Sequence, residues 1–190
     1  MSPALTKEQR YTYEDYCAWE GGDVRYELID GFPCAMAGAS ADHQRVLGNL
    51  FFRFKSYLDG KTCEVFVPAF DVKLDADGYF DSVVQPDIAV VCDKSKIKQR
   101  GCDGAPDLIA EIISHSTAKR DRYDKFLLYQ RAGVREYWIV DMESLTVQVH
   151  LLDGQRYFTH TYGNGDIIPV NVVLEGLEMR LADVFAGLAE

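Results

Sequence analysis

Leu108-Ile109-Ala110-Glu111-Ile112-Ile113 is an apolar run with one carboxylate in its middle, and Pro86-Asp87-Ile88-Ala89-Val90-Val91 is a second run opened by another. Near-continuous apolar stretches of this length are what strands covered on both faces look like. They mark the centre of a sheet. Residues 117–132 follow as a helix, with Ser116 or Thr117 as cap and Gly133 as stop, and Glu136-Tyr137-Trp138-Ile139-Val140-Asp141 returns as another buried strand. Beyond it, residues 145–152 and 156–162 alternate like a meander turning at Asp153-Gly154, and a short helix near residues 181–188 ends the chain.

Working toward the N-terminus, residues 94–104 read as a polar loop and residues 63–74 as a strand. Val46, Leu47, Leu50, Phe51, Phe54 and Leu58 have the i, i+3, i+4 spacing of a long amphipathic helix over residues 40–58. Arg25-Tyr26-Glu27-Leu28-Ile29 and the residues from Phe32 onward form a hairpin around Asp30-Gly31, a pair that tolerates the positive φ of tight turns. Residues 13–19 are a short helix capped by Thr12 and closed by Gly21-Gly22. The fold class is α/β (α+β): a mixed central sheet flanked by helices, with an added β-meander, in one domain spanning residues 1–190.

With 30 Asp plus Glu against 20 Lys plus Arg, the 190-residue chain carries a formal charge of -10. It has no apolar run long enough to span a bilayer and no secretory leader pattern, so a cytoplasmic location and no membrane association are expected. Five scattered cysteines without CxxC pairs suggest reduced thiols rather than a disulfide framework or a zinc knuckle. The acidic total argues against nucleic acid until it is divided along the chain. Residues 94–135 hold ten Lys or Arg against five acids, and residues 141–190 hold eight acids against two arginines. A basic stretch thus surrounds Glu111, which allows salt-sensitive binding of a polyanion on one face.

A carboxylate in an apolar strand is costly unless it is paired, hydrogen-bonded or bound to a metal. If their strands are adjacent, Asp87 and Glu111 converge at one sheet edge and can chelate a hard divalent cation, Mg²⁺ or Mn²⁺, of the kind that serves phosphoryl chemistry. The plainer alternative has Asp87 capping a strand and Glu111 paired with a buried Arg or Lys. Glu27 is a third acid in similar company, although alternation in a hairpin also suits a solvent-facing position. Lys125, on the helix after the Glu111 strand, could act on a phosphate or an attacking water, or be an ordinary exposed lysine. His43, Lys119 and Arg122 are candidates for phosphate contact, and Arg120 stands in the same basic run before Lys125 where such contacts fit. His115 could face the site, and Asp141 reads as a turn acid.

Arg25-Tyr26-Glu27-Leu28-Ile29-Asp30-Gly31, Ser40 with His43, Pro86-Asp87-Ile88, Ala105-Pro106-Asp107-Leu108 leading into Glu111-Ile112-Ile113-Ser114, then Ser116-Thr117, Asp121, Lys125, Tyr129, Gly133-Val134 and Glu136-Tyr137-Trp138-Ile139-Val140-Asp141 together resemble the Uma2 family, also called DUF820. This family is grouped with restriction-endonuclease-like proteins of the PD-(D/E)XK nuclease superfamily. The resemblance implies a restriction-endonuclease-like core in which Pro86-Asp87 is the PD pair and Glu111 the following acid. Ile113 stands where the motif lysine belongs, a departure from the pattern, and Lys125 is the implied migrated lysine. Glu27 is similar to the extra acid that many such nucleases contribute from an N-terminal element. Asp107 reads as the start of a strand.

The expected function is Mg²⁺-dependent DNA endonuclease activity, with Glu27, Asp87, Glu111 and Lys125 catalytic and Asp87 and Glu111 holding the metal. His43, Lys119 and Arg122 would bind substrate, with no organic cofactor. A homodimer fits the need to cut both strands. The alternative is a non-catalytic protein that keeps the nuclease fold for DNA binding or assembly, and the position of the Lys125 ammonium discriminates between the two. A small-molecule metal hydrolase would need a closed pocket.

Overall fold

The computed structural model describes residues 9–19, 24–74, 81–113, 118–170 and 172–188. In chain order the elements are α1 (Tyr13–Ala18), β1 (Tyr26–Ile29), β2 (Phe32–Ala35), α2 (Ala41–Leu58), β3 (Glu64–Phe66), β4 (Asp71–Leu74), β5 (Ser82–Val84), β6 (Ile88–Val91), β7 (Ile97–Lys98), β8 (Gly101–Asp103), β9 (Leu108–Ile113), α3 (Phe126–Ala132), β10 (Glu136–Asp141), β11 (Thr146–Asp153), β12 (Arg156–Tyr162), β13 (Ile167–Val170), β14 (Leu177–Arg180) and α4 (Leu181–Val184). The central sheet has the order β12-β11-β10-β9-β6-β3, and a second sheet the order β2-β1-β5-β4-β8-β7. Both are mixed, with β9–β10 parallel in the first and β4–β8 parallel in the second.

The two apolar runs are indeed neighbouring central strands, and the period of two sorts their side chains onto opposite faces. Ile88, Val90, Leu108, Ala110, Ile112, Trp138 and Val140 pack under Val46, Leu50 and Phe54 of α2. Ala89, Val91, Ile109, Ile113, Tyr137 and Ile139 meet Leu128 and Tyr129 of α3 and Ile29, Val72, Leu74 and Val84 of the second sheet. Glu111 shares this second face with Ile109 and Ile113. A sheet with both faces covered has no solvent side on which to put a carboxylate, so the Glu111 environment must be built from neighbouring polar groups.

Several expectations hold in detail. Thr12 caps α1 in a capping box with Asp15, and Ser40 caps α2 by accepting from the His43 N–H. Asp30 and Gly31 both take positive φ, 50° and 78°, in the β1–β2 turn, and Gly133 ends α3 at φ 83°. Others are corrected. The strand expected over residues 63–74 is two, because the chain leaves the central sheet after Phe66 and enters the second sheet at Asp71. The expected loop over residues 94–104 contains the β7–β8 hairpin. Cys63 and Cys92, expected as free thiols, form a disulfide: Glu64 pairs with Val91, which makes these cysteines the next facing pair. The helix expected from residue 117 winds as a π-helical turn over Arg120–Lys125 before α3 begins. Ser116, Thr117, His115 and Gly21-Gly22 lie outside the described residues.

Behind α3, His150 on β11 sits edge-on to Phe126 at 5.0 Å between ring centres, with Nδ1 2.7 Å from Thr159 Oγ1. Burial, helped by the Arg122 charge, pushes its pKa down to about 4. The unfolded chain then takes up this proton first, so stability is full above the ordinary histidine value of about 6.5 and is lost as pH falls toward 4. The expected loss is on the order of 2–3 kcal/mol. His150→Phe keeps a ring in the aromatic cluster, and urea titrations from pH 7 to pH 4 should show the variant losing less stability than the wild type. Parallel profiles would mean that His150 is not held neutral.

Candidate active site

The β6–β9 register pairs Ile88 with Ala110, so Asp87, one residue before β6, comes opposite Glu111. The Ile112 N–H donates to Asp87 Oδ2 at 2.8 Å, and His43 Nε2, from the first turn of α2, lies 3.1 Å from the same oxygen. Burial opposes charge on His43, but the Asp87 carboxylate outweighs it and raises the pKa. Glu27 approaches from β1, with Oε1 accepting from the Gln85 N–H at 3.0 Å. Three strands from two sheets thereby bring three acids to one floor.

Lys125 closes the arrangement from the π-helical turn. Its Nζ donates to Glu27 Oε1 and to Glu111 Oε1, both at 2.8 Å, and lies 3.7 Å from Asp121 Oδ1. Burial works against its charge, yet the carboxylates of Glu111, Glu27 and Asp121 win and hold the ammonium above the ordinary lysine range. Tyr129 O–H donates to Glu111 Oε1 at 2.7 Å. Burial pushes the Glu111 pKa above the ordinary carboxylate range; Lys125 pulls against it, while Asp121, Asp87 and Glu27 add to it. Ile113, two residues on and on the same face, is 4% exposed in the core. The cation absent from that strand position is thus present in space, delivered by the next helix.

Above these groups lies an open cleft of about 270 Å³, whose lining includes Glu27, Ser40, His43, Asp87, Glu111 and Lys125. It also includes Arg120, one of the basic residues before Lys125, with Arg25 and Asp121, to which the sequence assigned no role of their own, and Gln85, which carried no sequence signal. Asp121 lay one helical turn before Lys125 in sequence, a signal that was available. Gln85 reaches a supporting network: its Nε2 donates to Asp71 Oδ1 at 2.7 Å, as does Tyr16 O–H at 3.0 Å. Lys119 is exposed and is not part of the lining. Arg122 is turned away, donating to Gln148 Oε1 at 2.8 Å and Asp141 Oδ2 at 2.7 Å. Asp107 holds the Cys92 N–H, and Asp141 holds the Glu143 and Ser144 N–H groups of its turn. Both are structural.

Among the described residues, no three His, Cys, Asp or Glu side chains gather to cage a metal, and no helix is long and apolar enough to cross a membrane.

The protein resembles others across nearly its whole length. It is 28% identical over 179 residues to the uncharacterized protein slr1290 of Synechocystis sp., covering 93% of this chain and 92% of that one. It is 30% identical over 148 residues to the uncharacterized protein sll1609 of the same organism, covering 75% and 80%. The crystal structure of "a putative nuclease belonging to DUF820" from Anabaena variabilis superposes with a TM-score of 0.76 at 18% identity, over 92% of this chain and 97% of that one. That likeness establishes the fold. Residues 12–182 match the family described as "Putative restriction endonuclease", and the chain belongs to this family, Uma2.

Proposed function

We propose that the cleft hydrolyses phosphodiester bonds of DNA with the help of Mg²⁺, or Mn²⁺ in its place. The observation that carries this reading is the buried Lys125 ammonium 2.8 Å from both Glu111 and Glu27 at the floor of an open cleft. A wholly structural ion pair has no need to face a cleft, and functional sites are where burial and charge partners are concentrated. The open shape suits a polymer better than an enclosed small molecule.

The donors fit a hard divalent cation that keeps several waters: the Asp87 and Glu111 carboxylates would hold it, with substrate phosphate completing the shell. When bound, the cation supplies charge neutralisation at the phosphate and a more acidic water. The protein's own groups set the geometry. The Ile112 N–H and His43 fix the Asp87 carboxylate, and the Tyr129 hydroxyl fixes Glu111. Lys125 stays protonated, so its role is to orient a water or steady developing negative charge rather than to accept a proton. Glu27 holds Lys125 in place by accepting a second hydrogen bond from its Nζ. His43 faces the cleft as a substrate contact. Two copies, each cutting one strand of a duplex, and a cytoplasmic setting complete the proposal.

Single-stranded, duplex and branched DNA incubated with the protein should be cleaved in Mg²⁺ or Mn²⁺ and left intact in EDTA. Calorimetric titration should show one divalent site per chain, lost in Asp87→Ala. Cleavage that survives EDTA, or metal binding unchanged in Asp87→Ala, would contradict this assignment; absence of cleavage on all substrates with the metal bound would favour a non-catalytic DNA-binding role.

A further inference from the structure

We propose that Arg120 grips a phosphate of the bound DNA strand and so serves as a phosphate-binding cation of the cleft; this rests on the nuclease reading of the same site. Apart from His43, the cleft is lined by three basic side chains, Arg25, Arg120 and Lys125. Lys125 is 3% exposed and committed to three carboxylates, so reaching outward would leave those charges unbalanced. Arg120 is differently placed. Its side chain is 20% exposed, with Nη1 3.2 Å from the Ala35 carbonyl and 3.7 Å from Glu27 Oε2. Both contacts are at the long end of their ranges. A guanidinium carries five N–H donors in a planar fork that matches phosphate oxygens, and the Ala35 carbonyl and the neighbouring Cys34 thiol use little of that capacity.

The winding of the chain explains why Arg120 faces inward. In an α-helix residues five apart diverge by about 140°, so Arg120 and Lys125 would point to different sides. Across the π-helical turn Arg120–Lys125, hydrogen bonding runs from i to i+5 and residues five apart stack along one face. The extra residue in the turn therefore aims both cations at the cleft, and Arg122 is left to pair with Asp141 outside it. The Tyr137 hydroxyl, donating to the Asp121 carbonyl at 3.0 Å, fastens the turn to β10. Lys125 balances the acids from below, and Arg120 presents a fork to the substrate from the rim.

The test is fluorescence anisotropy with a labelled DNA duplex and a labelled single strand, in a Glu111→Gln background that suppresses turnover. Adding Arg120→Ala should raise Kd about tenfold or more and reduce the slope of log Kd against log salt by about one contact. Arg120→Lys should restore the salt slope but not the full affinity, because a point charge replaces a fork. Arg131→Ala, which removes an exposed ion pair between α3 and Asp30 of the β1–β2 turn, should leave Kd within about twofold. Calorimetry on the otherwise wild-type chain should give the same Mg²⁺ affinity with and without Arg120→Ala. Binding and salt slope unchanged in Arg120→Ala overturn this inference alone. Failure of the wild-type chain to bind either DNA overturns it together with the nuclease reading.

Discussion

Glu111→Gln should lower the proposed metal-dependent DNA cleavage by at least about 10²-fold, the scale of losing one group that stabilises charge in a transition state. The same change should cost less than about 1 kcal/mol of stability, or about 2–4 °C in melting temperature at this chain length. The separation of the two effects follows from the environment of this carboxyl. Glu111 is 4% exposed, and burial together with Asp121, Asp87 and Glu27 pushes its pKa up against the pull of Lys125. A neutral side chain of the same shape is therefore well tolerated, since the Gln carbonyl oxygen can accept from Lys125 Nζ and the Tyr129 hydroxyl as Oε1 does. A neutral amide is nevertheless a poor ligand for a hard dication.

The sign of the pH dependence adds a check. An acid whose folded pKa is raised keeps its proton while the unfolded chain releases it, so the wild type loses stability as pH rises from the ordinary carboxylate range toward the raised value. Glu111→Gln lacks this group, and its melting temperature should gain on the wild type between pH 5 and pH 8. Retained cleavage would remove Glu111 from the metal site. A drop well beyond 4 °C would instead make its charge a structural requirement.

How much of this was legible in the sequence depends on the range of the signal. Asp87 and Glu111 stood out because a carboxylate among apolar neighbours is anomalous within a window of five residues. The hairpin at Asp30-Gly31 and the strand, helix and strand from Leu108 to Asp141 were legible for the same local reason. The rest of the second sheet was not. Its strands β4, β5, β7 and β8 have two to four residues each, too few for a period to register, and they carry Asp71, Lys73 and Lys98. The Cys63–Cys92 disulfide depends on the β3–β6 register, which no local pattern fixes. Lys119, Arg120 and Arg122 look alike in sequence as basic residues just before Lys125, whereas the π-helical turn decides which of them shares its face and puts Arg120 alone of the three in the cleft. The pairing of Lys125 with Glu27 joins residues far apart in the chain and follows from the fold alone.

Lys125→Met should destabilise the protein by about 3–5 kcal/mol, the scale of removing one partner from a buried ion pair. Melting temperature would fall by roughly 6–20 °C at this chain length. Met preserves most of the volume, so lost packing contributes little. What remains is electrostatic: Glu27, Glu111 and Asp121 face one another in a buried site, with Arg120 3.7 Å from Glu27 as the nearest compensation. Those carboxylates must then be neutralised by protons, so the folded variant binds more protons than its unfolded chain. Its deficit should shrink as pH falls from 8 to 5, and urea titrations at the two ends of that range measure the change. Glu27→Gln added to Lys125→Met should recover part of the loss, because it removes one of the charges left unbalanced. A divalent cation that binds Asp87 and Glu111 should also raise the melting temperature of Lys125→Met more than that of the wild type, since it binds the folded state and replaces the missing positive charge. A cost below about 1 kcal/mol, unchanged with pH, would show that Lys125 does not organise these acids. A large cost relieved by protons, by Glu27→Gln and by the metal alike would mean that one charge balance underlies both the stability of this floor and its capacity to hold a cation.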